Sequence, residues 1–276
     1  MPDRTDGIER ERPTEFVQSV QRALDVIKSF TAKHSSMTLT EVAERTHLTR
    51  GAARRFLLTL EHLGYVRSDG RKFSLSPAVL ELGYAYLSSV HPWDAAVPLM
   101  ERLSNDVQEN CLAGVLEGTD VVCVARTSRR LVTVAVYVGG RVPVSASSMG
   151  RAILAFQADD VVEKYLAEAD LKRVTAFTIT DKEALRAELK TVREQGWSLV
   201  QHELEEGLTS VSAPVFGPDG RAVAALNISA HGHRIMQEDV EQRVLPQLLR
   251  CARETSLLFG HRPSDGDYGG GPARRE

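Results

Sequence analysis

The chain has 276 residues, 42% of them hydrophobic and 26% charged, with a net charge of -3. This is ordinary globular composition, with room for one large domain or two medium ones. No run of about 18 apolar residues occurs, and the first residues, MPDRTDGIERERPTE, contain no apolar stretch, so no membrane span and no secretory leader are expected, and the expected compartment is the cytoplasm.

Cys111, Cys123 and Cys251 are far apart and odd in number, which argues for buried thiols rather than a disulfide framework or a zinc knuckle. The charge is unevenly spread. Residues 16–76 hold 10 Lys+Arg against 5 Asp+Glu, and residues 77–260 hold 18 against 24. Such asymmetry is expected when only the small part meets phosphate, although a basic patch of this size can also be a solvated face.

Residues 1–15 read as a charged, flexible arm. A first helix is predicted over 17–30, with Val20, Leu24, Ile27 and Phe30 on its apolar face. A second follows at 39–46, where Thr38 and Glu41 fit a capping box. A third is predicted over 50–62, with Thr49 as its N-cap and Ala52, Phe56, Leu60 and Leu63 facing the core. Leu48 can plug the short corner between these two helices. Asp69-Gly70 then marks a hairpin turn between two short strands. Helix, helix, turn, helix and hairpin is the order of a winged helix-turn-helix, placed at 16–76.

Pro77 opens a linker helix within 77–91 whose apolar residues, Leu80 and Leu82 among them, could pack on a partner. The segment 92–260 mixes helices, predicted at 94–109, 150–157, 159–168, 181–195 and 237–259, with strands at 111–117, 120–126, 131–138, 142–146, 198–203, 209–216 and 221–229. Tight connections between successive strands imply an antiparallel sheet flanked by helices, making the chain α+β. The Gly- and Pro-rich tail 261–276 is expected to be disordered.

A recognition helix reads base edges with its N-terminal turns. Thr49, Arg50, Gly51, Arg54 and Arg55 occupy that end of the third helix, and the arginine fork suits guanine in the major groove. Thr38 precedes the second helix, and Arg67, Arg71 and Lys72 flank the hairpin tip, where they suit phosphate or minor-groove contact. For Arg67 and Arg45 a solvated surface role is an equal alternative.

These segments resemble the IclR family of bacterial regulators. The matching runs are Arg22–Phe30 (RALDVIKSF), Leu39–Val66, Phe73–Gly83, Val124–Arg130 (VARTSRR), Ser147–Ala155 (SSMGRAILA) and Gly196–Phe216. The ARRFLLTL run at 53–60 is most similar to the branch controlling protocatechuate, 4-hydroxybenzoate and β-ketoadipate catabolism. Gly51 and Cys111-Leu112-Ala113 depart from that branch, where Ala and a Ser-rich segment are usual.

The resemblance implies a transcription regulator that needs no cofactor and no metal, works as a homodimer or tetramer on a palindromic operator in double-stranded DNA, and has a GAF-like C-terminal domain binding a small carboxylated effector. It implies effector-lining positions at Leu131, Val142, Ser148, Met149, Val200, Leu208, Ser210, Asn227 and Ser229. Ser148 and Met149 lie before a helix expected to begin near Gly150, whose free N–H groups would attract a carboxylate. Arg126, Arg130, Arg141, Arg151 and His202 are candidate counter-charges.

Three rival readings follow from the residues. Ala146–Gly150 is close to the nucleophile elbow G-x-S-x-G, which would make Ser148 a hydrolase nucleophile, but the first glycine is missing. A ligand-free DNA-binding oligomer is the second. Metal sensing by His202, His231 and His233 is the third, and it lacks a convincing third ligand.

Overall fold

The computed structural model describes residues 15–89, 92–127, 137–232 and 239–262. The chain divides into two compact units between Ser89 and Val90.

The N-terminal unit runs α1 (Gln18–Ser29), β1 (Ser36–Thr38), α2 (Leu39–Arg45), α3 (Arg50–His62), β2 (Val66–Ser68), β3 (Lys72–Leu75), a 3-10 turn (Pro77–Val79) and α4 (Leu80–Ser89). Local chemistry sets its boundaries. The Thr38 backbone N–H donates to the Glu41 carboxylate at 2.7 Å, and the Glu41 N–H donates to the Thr38 hydroxyl at 3.4 Å. These bonds satisfy orphan donors at the start of α2 and hold the Glu41 carboxyl below its usual range. The Thr49 hydroxyl accepts from the Ala52 N–H in the same way at α3.

In the hairpin, Gly70 takes φ +89°, and the Asp69 carboxylate accepts from the N–H groups of Arg71 and Lys72 at 2.9 and 2.7 Å. A three-stranded antiparallel sheet in the order β1-β3-β2 results. The strand β1 is not visible in the sequence, because three residues are too few for a period. It exists because Met37 pairs across to Phe73 and buries its own side chain.

The core of this unit is Val26, Phe30, Met37, Val42, Leu57, Leu60 and Val66, with Leu48 packed against it from the corner. Two expected helix faces are corrected. In α1, Phe30 is buried and Ile27 packs against the core as expected, but Val20 and Leu24 are 57% and 44% exposed, and Val26 and Ser29 are buried in their place. In α3 the buried set is Ala53, Leu57 and Leu60, with Ala52 and Phe56 half-buried and Leu63 59% exposed. Periodicity gives the width of an apolar stripe, but its centre depends on where the neighbouring helices lie. Leu63 also falls after α3 has ended, where Gly64 turns the chain at φ +83°.

The C-terminal unit runs α5 (Pro92–Val107), β4 (Cys111–Glu117), β5 (Asp120–Arg126), β6 (Arg141–Pro143), α6 (Ser148–Leu154), α7 (Asp159–Glu168), α8 (Lys182–Gln195), β7 (Ser198–Gln201), β8 (Leu208–Phe216), β9 (Ala222–His231), a π-helical turn (Val240–Val244) and α9 (Leu245–Leu258). The strand expected at 131–138 lies largely outside the described residues. The helix expected at 237–259 is interrupted near its start. Pro246 has no N–H to complete the ladder and crowds the carbonyl four residues back, inside the widened turn.

The six strands form one antiparallel sheet in the order β6-β5-β4-β9-β8-β7. The central strands are buried on both faces, so helices must cover both. One face, carrying Ser210 and Asn227, is covered by α6. The other, carrying Val211 and Ile228, is covered by α5 and α9, which also pack on each other. Gly150 makes the first arrangement possible. A Cβ at Gly150 would stand 2.3 Å from the Val144 carbonyl oxygen, so α6 crosses that backbone at a distance only glycine permits.

Cys111, Cys123 and Cys251 are all buried and free. Burial raises each thiol, Cys123 to about 11 and Cys251 to about 12, with Cys111 well above its usual value. At pH 8 roughly one Cys123 in a thousand is thiolate, the nucleophilic form. Iodoacetamide at pH 8 is therefore expected to leave the folded protein unmodified by mass spectrometry and to label the thiols once urea unfolds it. Rapid labelling of the native chain would contradict the burial.

Candidate functional site

At the start of α3, Thr49, Arg50, Gly51, Arg54 and Arg55 are all exposed. Among the described residues, Arg50, Arg54 and Arg55 make no hydrogen bond or ion pair through their guanidinium groups, so their charges are held by solvent alone. A Cβ at Gly51 would meet nothing within 4 Å. The glycine is therefore not required by packing within the unit, and it leaves the backbone of α3 uncovered on this side.

Arg71 and Lys72 are exposed beside the hairpin turn. The neighbouring Arg67 is exposed but donates through Nε to the Ser74 hydroxyl at 3.1 Å. Thr38 stands apart from this group. Its hydroxyl bonds to Glu41 in both directions, as donor to the carboxylate at 2.8 Å and as acceptor from the N–H, so it is committed to capping α2. Arg45 ties α2 to α1 by donating to the Ser29 carbonyl at 3.2 Å.

The C-terminal unit holds a pocket between the sheet and α6, with apolar and polar groups on its wall. Eight of the nine lining positions drawn from the sequence meet there. Val142, Met149, Val200 and Leu208 supply apolar wall, and Ser148, Ser210, Asn227 and Ser229 supply polar atoms. The ninth, Leu131, lies outside the described residues, as does Arg130.

Strand register explains the convergence. Residues directly opposite in neighbouring strands share a face. Leu112 lies opposite both Arg126 and Asn227, and Asn227 lies opposite Ser212, so Arg126, Leu112, Asn227 and Ser212 form one row across four strands. Ser229, Ser210 and Val200 form the next row.

The polar atoms are tightly linked. Ser148 Oγ lies 2.7 Å from Ser210 Oγ and 2.8 Å from Ser212 Oγ. Asn227 Nδ2 lies 3.1, 2.7 and 2.9 Å from the hydroxyls of Ser148, Ser210 and Ser212, and 3.2 Å from the Val211 carbonyl oxygen. Ser212 was missed in the sequence, although its position two residues beyond Ser210 on the same strand puts it on the same face. Asn110, Leu112 and Leu204 also line the cavity. Only the register and the loop path reveal them.

The candidate counter-charges separate. Among the described residues, Arg126 is the cation on the cavity wall. Arg141 is on the surface, paired with Glu117 at 2.6 Å and Asp120 at 3.7 Å. Arg151 points away into the protein. It is 1% exposed and bonds to Glu203 at 2.6 Å and to the Ser145 carbonyl at 2.8 Å, with Glu188 at 3.9 Å. His202 accepts from the Gly207 N–H at 2.9 Å, closing a tight turn, and does not line the cavity.

The helix start differs from expectation. α6 begins at Ser148, and the Ser147 hydroxyl accepts the Gly150 N–H at 3.1 Å, so part of the first turn is already satisfied. The nucleophile reading also fails on geometry. Among the described residues, Ser148 Oγ is bonded to hydroxyls and an amide, none of which is a base able to take its proton. Gly150 is required by the crossing over Val144 rather than by a strained elbow. His231 lies 3.4 Å from Glu205, His233 falls outside the described residues, and no metal-binding cluster is present among those described.

Comparison with known proteins agrees with this arrangement. Residues 19–70 match the IclR helix-turn-helix domain, and residues 84–257 match the C-terminal domain of bacterial IclR transcriptional regulators. The chain is 43% identical over 249 residues to the Pca regulon regulatory protein of Pseudomonas putida, covering 89% of this chain and 86% of that one. It is 31% identical to the p-hydroxybenzoate hydroxylase transcriptional activator of Acinetobacter baylyi, covering 90% of this chain and 93% of the other. An IclR homologue from Microbacterium hydrocarbonoxydans, crystallised with 4-hydroxybenzoate, superposes with a TM-score of 0.77 at 27% identity, covering 88% of this chain and 99% of that one. No helix among the described residues is long and apolar enough to cross a membrane. With a helix-turn-helix domain in one unit and a polar-floored cavity in the other, the chain belongs to the IclR family of bacterial DNA-binding transcription regulators and is not an enzyme.

Proposed function

We propose that this protein controls genes of aromatic-acid catabolism in the bacterial cytoplasm, and that a small carboxylated metabolite, an anionic aromatic or dicarboxylic acid, sets its affinity for DNA. The observation that carries this reading is the cavity, whose wall among the described residues combines the cation Arg126 with apolar side chains and a cluster of hydroxyl and amide groups. A carboxylate needs a charged partner to leave water at acceptable cost, and Arg126 supplies it. The names of the Pseudomonas and Acinetobacter relatives, and the 4-hydroxybenzoate held by the Microbacterium homologue, point the same way.

In this reading residues 16–76 bind DNA, the segment 77–91 transmits the signal, and residues 92–260 bind effector and assemble the oligomer, with 1–15 and 261–276 as flanking arm and tail. Two or four chains hold their α3 helices against the half-sites of a palindromic operator. Effector binding shifts the population of arrangements and thereby the operator affinity.

A thermal-shift panel of benzoate, 4-hydroxybenzoate, protocatechuate and β-ketoadipate tests the reading. A ligand that binds only the folded chain must raise its melting temperature. At least one of these acids is expected to do so for the wild type, and Arg126→Met is expected to lose most of the shift. A flat panel would favour an oligomer that binds DNA without a ligand.

A further inference from the structure

We infer that Thr127 and Ser104 form the contact that carries occupancy of the cavity to α5, and through α5 to the segment 77–91 that precedes it in the chain. Neither residue lines the cavity, so both act as positioning residues. This coupling rests on the effector role proposed above and gives that site its route outward.

Successive residues of a strand face opposite sides of its sheet. Arg126 ends β5 on the cavity wall, and Thr127, one residue on, reaches Ser104 of α5 on the other side. Asn110 and Leu112 line the cavity, and Cys111 between them is buried in the core that α5 and α9 cover. One thickness of backbone therefore separates the Arg126 end of the cavity from the last turn of α5.

Thr127 and Ser104 are both buried. The Thr127 N–H donates to the Cys111 carbonyl at 2.9 Å, and the Thr127 hydroxyl accepts from the Cys111 N–H at 2.8 Å. The Ser104 hydroxyl gives its hydrogen to the Glu109 carbonyl at 2.6 Å. The Thr127 hydroxyl has one hydrogen and two acceptors for it, Ser104 Oγ at 3.1 Å and the Cys111 carbonyl oxygen at 3.4 Å. It can hold α5 or turn back onto its own strand pair, and cannot serve both at full strength. A buried group with two competing partners is a two-state element, which coupling between distant sites requires.

The end of α5 has little slack. Only residues 108–110 join it to β4. Gln108 takes φ +61°, a left-handed conformation that strains any residue but glycine, and Asn110 is already cavity wall. The carbonyl of Val107, the last residue of α5, accepts from the Arg243 guanidinium at 2.9 Å, and Arg243 lies in the π-helical turn before α9. A ligand that draws in Arg126 and Asn110 shifts Thr127 and the 108–110 connection together, and the Thr127 hydrogen then exchanges Ser104 for the Cys111 carbonyl. α5 starts at Pro92, directly after the segment 77–91, so a change at its far end passes along one helix to that segment.

Hydrogen–deuterium exchange of the full chain, read by mass spectrometry with and without 4-hydroxybenzoate or β-ketoadipate, tests the coupling, and titration calorimetry gives the affinities of the same proteins. In the wild type, an acid that binds is expected to change the exchange rate of residues 92–107 by at least about threefold. Thr127→Val keeps the branched shape and lacks the hydroxyl. It is expected to bind the acid within about threefold of the wild type while the response of 92–107 disappears, and Thr127→Ser is expected to retain that response. Ser104→Ala carries the same expectation as Thr127→Val and decides the matter should that variant fail to fold. Binding to the wild type without a response at 92–107, a full response in Thr127→Val, or its absence in Thr127→Ser would each overturn the coupling and leave the effector site standing. A loss of affinity beyond about tenfold in Thr127→Val would place Thr127 in the binding site itself and overturn the coupling as well. Failure of both acids to bind the wild type would remove the effector reading, and this coupling with it.

Discussion

Replacing Arg151 with methionine is expected to lower the stability of the C-terminal unit by about 3–5 kcal/mol, the usual cost of stranding one member of a buried ion pair. Arg151 is 1% exposed, and its guanidinium is held by Glu203 at 2.6 Å and the Ser145 carbonyl at 2.8 Å. The Glu203 carboxylate also accepts from the Ile179 N–H at 2.9 Å, and the Glu203 carbonyl accepts from the Thr178 hydroxyl at 2.7 Å. The pair therefore joins α6, the connection after β7 and the loop before α8. Without Arg151, the Glu203 carboxylate stays buried, with the Ile179 N–H as its remaining near partner.

Urea unfolding measures the loss. The double variant Arg151→Met with Glu203→Leu should be more stable than Arg151→Met alone, because it removes the orphaned charge as well as its partner. A loss below about 1 kcal/mol for Arg151→Met would mean that water screens the pair as it screens a surface bridge. Leu204, next to Glu203, lines the cavity, so the double variant also reports whether the cavity wall depends on this anchor.

The second large effect is on DNA. Arg50→Ala and Arg54→Ala should each weaken operator binding by about 1–3 kcal/mol, roughly ten- to a hundredfold, if each guanidinium makes a bidentate contact with guanine. Both side chains are exposed, and neither has a partner within the described protein, so the unfolding midpoint should not move. Arg71→Ala, at the hairpin, should weaken all DNA sequences alike and reduce the salt dependence by about one counterion. Fluorescence anisotropy at several salt concentrations separates the two patterns. Wild-type operator affinity in Arg54→Ala at fixed salt would remove this arginine from the reading surface.

The residues that the sequence could place, and those it could not, divide along a physical line. The capping box of Thr38 and Glu41, the Thr49 cap, the Asp69-Gly70 turn and the helix over 159–168 were legible. Each depends on bonds or steric preferences between residues a few positions apart, and those act before any tertiary contact forms. The basic end of α3 was legible because its arginines are solvated, and solvation asks nothing of the remainder of the chain. Most of the cavity positions were legible only through family resemblance, since a Ser or Asn on a strand has no local signature.

Tertiary structure alone decided the rest. It turned the buried face of α3 onto Ala53, Leu57 and Leu60, and left Val20 and Leu24 of α1 exposed, because the centre of an apolar stripe is set by its neighbours. It assigned the arginines. Arg126, Arg141 and Arg151 look alike in sequence, yet one faces the cavity, one pairs on the surface and one is buried with Glu203, a residue 52 positions away. It also aligned Arg126, Leu112, Asn227 and Ser212 from four strands into one row. Register and charge pairing at that distance are properties of the closed sheet, so no local reading of the chain contains them.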